Sequence, residues 1–407
     1  VTGDSVAVLG DTTTGSVLDA SVTGAYATIS ASAANQTVTL GGANALDFAG
    51  TGTNDLVVTG ANAILVGSTA DANVTIGGAN PSDGANALYF VGSGTSNISV
   101  AGSAATLVGG TGTVNATLGG SGGLDLAGSG TNNLTVTGDS VAVLGDTTTG
   151  SVLDASVTGA YATISASAAN QTVTLGGANA LDFAGTGTND LVVTGANATL
   201  IGGTGAETVS TSTNTLLFGG SGAMSLIGGA GNVTLVGGTG GSEAATVGAG
   251  GLTFVSAQTN TASIQAGSGS TEVLGNANGA VSYFGAAGQA GVTFFAGSGN
   301  ETLDASSSST NNNLFAGSGS ATMSGGSGAN NFVFYRTATL GSQDLITDFS
   351  STDNLYLTGY DSTKSSTSYT AGQGLTLKLS DGTQITFSNL TNSASDQTKL
   401  QNATHYG

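Results

Sequence analysis

Between Ala45 and Val136, short apolar triplets return in two interleaved series at a fixed interval. One series reads LDF at 46–48, ILV at 64–66, LYF at 88–90, TLV at 106–108 and LDL at 124–126. The other reads LVV at 56–58, VTI at 74–76, ISV at 98–100, ATL at 116–118 and LTV at 134–136. Both step by 18, 24, 18 and 18 residues. The additional six residues fall once, in GGANPSDGANA at 77–87, which also holds the only proline, Pro81. A constant step that contains two short strands and two turns is one coil of a flattened β-solenoid.

Alternate residues of a strand face opposite ways. The apolar first and third positions, such as Leu46 and Phe48, Ile64 and Val66, Leu56 and Val58, are therefore expected inside. The middle residues are then expected outside. In the second series these are Val57, Thr75, Ser99, Thr117 and Thr135, a polar face. In the first they are Asp47, Leu65, Tyr89, Leu107 and Asp125, a more apolar one. Leu65, Tyr89 and Leu107 are accordingly the candidate lateral assembly face.

The longer turn ends in an acid or amide just before the strand: Asp55, Asn73, Asn97, Asn115 and Asn133. Equivalent residues of successive coils are spaced by about 4.8 Å. Stacked asparagines at that spacing can bond amide to amide, whereas stacked aspartates repel unless a cation separates them. An edge held largely by amides, without metal, is expected.

The chain has 407 residues, 70 of them glycine, with a formal net charge of −20. Glycine at that density suits tight turns repeated many times, and the regular apolar strands argue against glycine-rich disorder. Helix is disfavoured by the Gly, Thr, Ser and Asn content. Residues 1–335 hold 18 Asp or Glu and no Lys, Arg or His; Arg336, Lys364, Lys378, Lys399 and His405 all follow. Nucleic-acid binding is not expected, because phosphate contacts need cations. An anionic membrane surface would repel the chain, and no apolar run is long enough for a spanning helix. Cysteine is absent, so neither disulfide nor thiol chemistry operates.

Residues 1–63 and 136–198 are identical, offset by 135. Following strand centres gives seven coils per block, with counted lengths of 20, 19, 18, 24, 18, 18 and 18 residues. An even number of strands returns the second copy to the same face. Such a block lengthens a solenoid by roughly 34 Å without altering its cross-section. The same grammar continues to Tyr335 with looser spacing, and 1–335 reads as one solenoid. Val1 lies inside a repeat, so the chain is expected to be part of something longer.

After Tyr335 both signs of charge appear and glycine pairs thin out. DLITDF at 344–349, NLYL at 354–357 and the hairpin LTLKLSDGTQITFSNL at 375–390 read as a small β-rich unit over 336–407. Its expected role is to cap the open coil edge, which would otherwise template further pairing. The fold class is therefore all-β: a two-sided parallel β-solenoid with a small C-terminal β-rich cap.

GGTGAETVS at 202–210 and AGSGNETLD at 296–304 are similar to the nonapeptide G-G-x-G-x-D-x-U-x. GGSGAMSLI, AGSGSATMS and GGSGANNFV share its glycines and apolar position. The chain thus resembles the RTX (repeats-in-toxin) β-roll family. Its C-terminal run, NNFVFY through LSDGTQITFSNL, resembles the end of RTX proteins exported by type I secretion. The resemblance covers 297–390 well and the remainder only in coil grammar. It implies export from a Gram-negative bacterium, a secretion signal within 336–407, and calcium. Here the sixth position, Asp in the family, is Glu207 or Glu301 in the two best units, but Asn54, Ser96, Asn132, Met224, Ala321 or Asn330 elsewhere. Calcium needs six to eight oxygens, several of them charged. Calcium is therefore expected at few sites, with Glu207, Glu301, Asp304, Asp344 and Asp348 as candidate ligands.

Catalytic constellations are thin. A Ser/His/Asp triad would need His405, three residues from an end expected to fray. Asp47 and Asp125 are conceivable as paired carboxylates, but Leu65, Tyr89 and Leu107 intervene, and an exposed non-catalytic pair is the simpler reading. The glycine-rich segments recur too often to be one phosphate loop. A threonine array at Thr75, Thr117 and Thr135, as on ice-binding solenoids, is explained as well by β-branched strand preference. The expectation is a non-enzymatic, secreted structural protein that self-assembles into a surface filament, surface layer or biofilm matrix. The alternative is a calcium-dependent adhesin or a stalk binding cell-surface glycans.

Overall fold

The computed structural model describes residues 1–407 except 81, 258–260, 276–277 and 337–340, so Pro81 lies outside the described residues. Contacts divide the chain into two compact units, Val1–Glu207 and Thr208–Gly407.

Val1–Glu207 is a β-solenoid of two parallel sheets. One sheet is made of short strands, among them Thr28–Ser30, Leu46–Phe48, Ile64–Val66, Leu88–Phe90, Thr106–Val108, Leu124–Leu126 and Ala142–Leu144. The other is made of longer strands, among them Asn35–Leu40, Asn54–Val58, Ala72–Ile76, Ser96–Val100, Thr113–Leu118 and Thr131–Val136. The register is that of the sequence repeat: Leu46 pairs with Ile64, Ile64 with Leu88, Leu88 with Thr106, and Thr106 with Leu124. The 24-residue step is absorbed in a turn, so the strands on either side stay in register. Pairing of Ala7 with Thr28 and of Thr28 with Leu46 makes the first two coils 21 and 18 residues, not 20 and 19.

The longer strands face as the pattern predicts. Leu56, Val58, Val74, Ile76, Ile98 and Val100 are buried, while Val57, Thr75, Ser99, Thr117 and Thr135 are exposed. The short strands face the other way. Asp47, Leu65, Tyr89 and Leu107 are at most 1% exposed, whereas Phe48, Ile64 and Phe90 are 39–42% exposed. The expected assembly face of Leu65, Tyr89 and Leu107 is therefore core. A shift of one residue in facing inverts every side chain of a strand. The residue before each triplet explains the phase: Ala45, Ala63, Ala87 and Ala105 are also buried. The inward pair is thus a small alanine and the middle of the triplet.

Coil stacking is close enough to require glycine in the turns. A Cβ added at Gly130 would lie 1.8 Å from the carbonyl oxygen of Gly112 one coil away. On the other turn, Asn44, Asn62, Asn86, Ala104, Gly122 and Ser140 form a column of left-handed residues with φ between 53° and 67°. Asparagine tolerates this region through local bonding.

Thr208–Gly407 is built on the same plan. Parallel strands include Val233–Val236, Leu252–Val255, Thr271–Leu274, Val292–Phe295 and Asn313–Phe315 on one sheet, and Thr261–Gln265, Val281–Phe284, Glu301–Asp304 and Ala321–Ser324 on the other. Phe254, Tyr283, Phe294 and Phe332 fill its interior. Coiling continues past Tyr335: Asn331–Tyr335 pairs in parallel with Asn354–Thr358, which pairs with Thr404–Tyr406. Gln343–Ile346 pairs in parallel with Gln384–Phe387. The predicted hairpin then forms, Gly374–Lys378 running antiparallel to Gln384–Phe387, with Ser366–Thr370 beyond it. A helix, Ala394–Ala403, buries Leu400 and Ala403. Ser393 caps it, accepting from the Asp396 N–H at 3.1 Å, a start signal that the general bias against helix hid.

Candidate functional site

An amide ladder runs up the outer face of the long-strand sheet. Asn73 Nδ2 donates to Asp55 Oδ1 at 2.7 Å, Asn97 to Asn73 at 3.0 Å, Asn115 to Asn97 at 2.9 Å and Asn133 to Asn115 at 2.8 Å. Each amide donates toward the N-terminal coil. Asp55, at the foot, only accepts, so a carboxylate suits it. Thr208–Gly407 holds a second ladder of the same sense, Asn331 to Asn313 at 2.8 Å and Asn354 to Asn331 at 3.1 Å.

The sixth position of the glycine-rich turns points inward and serves the backbone. Asn54 accepts from Gly50 N at 3.1 Å and donates to the Gly50 and Gly52 carbonyls. Asn132 does the same around Gly128 and Gly130. Glu207 Oε1 accepts from Gly203 N and Glu301 Oε1 from Gly297 N at 3.0 Å, and Glu243, one position later in its turn, accepts on Oε1 from Gly238 N at 2.7 Å. The side chain closes the turn it follows, whether amide or acid.

The other candidate ligands are engaged likewise. Asp304 Oδ1 accepts from Ser306 N at 3.0 Å. Asp344 Oδ1 accepts from Ala321 N at 2.9 Å, and Ser342 Oγ donates to its Oδ2. Asp348 takes Gly325 N at 2.9 Å on Oδ1 and Gly326 N at 2.7 Å on Oδ2. Among the described residues no three His, Cys, Asp or Glu side chains gather closely enough to hold a metal ion. Each of these carboxylates accepts at least one backbone N–H, whereas a calcium cage requires several charged oxygens converging on one point.

Three aspartates stand in the core of Val1–Glu207. Gln36 Nε2 reaches Asp47 Oδ2 at 2.9 Å, and Gln171 Nε2 reaches Asp182 Oδ2 at 2.9 Å. Asp125 is 1% exposed, and its Oδ2 is buried without a hydrogen-bond partner. Burial pushes Asp47 up to about 6 and Asp125 and Asp182 up to about 7, from 3.8. Asp47 and Asp125 are therefore not the exposed pair expected. Burial also raises Glu207 and Glu301 to about 7 and Asp344 to about 6.

His405 does not sit on a frayed end. Its strand pairs with 355–357, its ring stacks on Tyr356 with centroids 5.0 Å apart, and its Nε2 lies 3.3 Å from Asn354 Oδ1.

The feature that sequence reasoning missed is the outer face of the short-strand sheet. Two columns stand there, one with Leu46, Ile64, Leu88 and Leu124, the other with Phe48, Val66, Phe90, Val108, Leu126 and Leu144. Side chains of Phe48, Ile64, Phe90 and Leu144 are 39–42% exposed. The column of alanines before the triplets was the available signal. Compared with known proteins, the chain matches no family model, no curated protein and no solved structure.

Proposed function

We propose that this is a secreted structural protein of the RTX β-roll kind, exported by a Gram-negative bacterium, whose product is a self-assembled surface filament, layer or matrix. The carrying observation is the exact recurrence of one structural block. Residues 1–63 and 136–198 are the same sequence, and they fold into the same coils down to the 2.9 Å bond between Gln36 and Asp47, repeated by Gln171 and Asp182. Duplicating a block of this kind adds coils and no new constellation of side chains. It serves a protein that works by its extent.

Capped turns and amide ladders support a solenoid held without bound ions. The partner under this reading is another copy of the chain. Electron microscopy of the full chain, with and without chelator, tests it. Ordered assemblies that persist in chelator are expected; monodisperse particles at every concentration would remove the reading. Assemblies that dissolve with chelator would favour a calcium-dependent adhesin.

A further inference from the structure

Resting on that assembly reading, we propose that the outer face of the short-strand sheet in Val1–Glu207 seats a second copy of this chain, face to face. The occupant follows from charge, area and shape.

The Val1–Glu207 unit carries fourteen Asp and Glu and no Lys, Arg or His. A second copy is repelled wherever those acids are displayed. The long-strand sheet displays them at Asp19, Asp55, Asp154 and Asp190, outward on strands Val17–Val22, Asn54–Val58, Val152–Val157 and Asn189–Val193. Outward positions of the short strands from Ala7–Leu9 to Ala198–Ile201 carry only Leu, Ile, Val, Phe, Ala, Thr and Ser. This is the sheet face on which two polyanions can meet without juxtaposing charge.

Eleven short strands at the usual spacing make a face about 48 Å long and about 12 Å wide, so a pair would bury roughly 1,200 Å², enough for a specific interface. Both copies present the same two columns on the same repeat. Phe48, Phe90 and Leu144 protrude, and Val66, Val108 and Leu126 sit lower between them in the column. Such columns interdigitate as in a dry zipper between paired sheets. A face-to-face contact uses the same patch on both copies and is closed. It therefore yields a pair, and extended assembly needs a different contact in addition.

Sedimentation of the full chain tests the proposal. The expected species is a dimer that tightens as salt screens the residual acids. Phe48→Glu with Phe90→Glu should weaken it by at least about a hundredfold, since a closed pair doubles every introduced charge. Phe48→Thr with Phe90→Thr places strand-favouring β-branched residues there and should weaken it by about tenfold, which decides the matter if the glutamate variant does not fold. Val57→Glu, on the opposite sheet, should leave the dimer intact. A monomer at every concentration up to about 1 mM would overturn the proposal, as would a dimer indifferent to both double variants. Monomers that co-sediment with phosphatidylcholine vesicles would overturn it in favour of a lipid surface. Assemblies in micrographs without this dimer would sink the interface and leave the assembly reading; a dimer that never extends would do the reverse.

Discussion

Gln36 Nε2 and Asp47 Oδ2 join the two sheets across the interior at 2.9 Å, with Gln36 1% and Asp47 0% exposed. The remaining oxygens, Gln36 Oε1 and Asp47 Oδ1, are buried without partners. Removing one member strands the other in the core. Gln36→Leu should therefore cost roughly 1–3 kcal/mol near neutral pH, and the double replacement with Asp47→Leu should cost less than the sum of the singles. Chemical denaturation of the four forms measures the coupling. A sum that is simply additive would mean that the bond contributes nothing.

Asp125 sets the pH dependence most plainly. Its folded value of about 7 lies above the 3.8 of the free side chain, so folding favours the protonated form. That contribution is complete below about pH 4 and is lost as pH rises through about 7, up to roughly 4 kcal/mol in all. Asp182, also at about 7, and Asp47, at about 6, act in the same direction. The melting temperature should thus fall from mildly acidic to mildly alkaline pH. Asp125→Asn should flatten the slope and stabilise the protein at about pH 8, with little change at about pH 4. A melting temperature that rises across this interval would contradict the burial of these acids.

The amide ladder needs a donor at each interior rung. Asn97 donates to Asn73 and accepts from Asn115. Asn97→Asp keeps the acceptor, loses the donor and sets oxygen against oxygen. It should cost roughly 1 kcal/mol, more than Asn97→Ser. At the foot, Asp55→Asn should change stability by less than about 0.5 kcal/mol, since that residue only accepts. Parallel denaturation curves would show whether the two positions differ in this way.

Ala104 stands in the column of left-handed turn residues with a φ of 53°. An alanine there pays roughly 1 kcal/mol for its Cβ. Ala104→Gly should recover part of that. Ala104→Asn should recover more, because Asn62 already donates to Asn44 and Asn86 to Asn62, each at 3.3 Å, and a further amide would continue the series. Thermal melts of the three forms should rank Asn above Gly above Ala. A ranking with Ala at the top would contradict a strained backbone at this position.

The coil step, the parallel register and the Asp55–Asn133 ladder were all legible, because each follows from backbone spacing and repeats many times. The facing of the short strands was not. Their outward residues, such as Leu46 and Phe48, are larger and more apolar than the inward alanine beside them, so hydrophobicity pointed one residue off. The alanines that precede the triplets, Ala45, Ala63, Ala87 and Ala105, carry the phase instead. Glu207 and Glu301 matched a ligand position by spacing. Only the fold places each on a glycine N–H of its own turn.

The repeated block closes on its own register, and this has a genetic consequence. Strand Leu46–Phe48 meets Ile64–Val66 just as Leu181–Phe183 meets Thr199–Ile201. A crossover that fused residue 63 to residue 199 would leave every neighbour in the shortened coil stack with an equivalent partner. Unequal recombination between the two copies could therefore trim or extend the molecule in whole modules, so its reach can evolve by copy number while each surviving residue keeps its place.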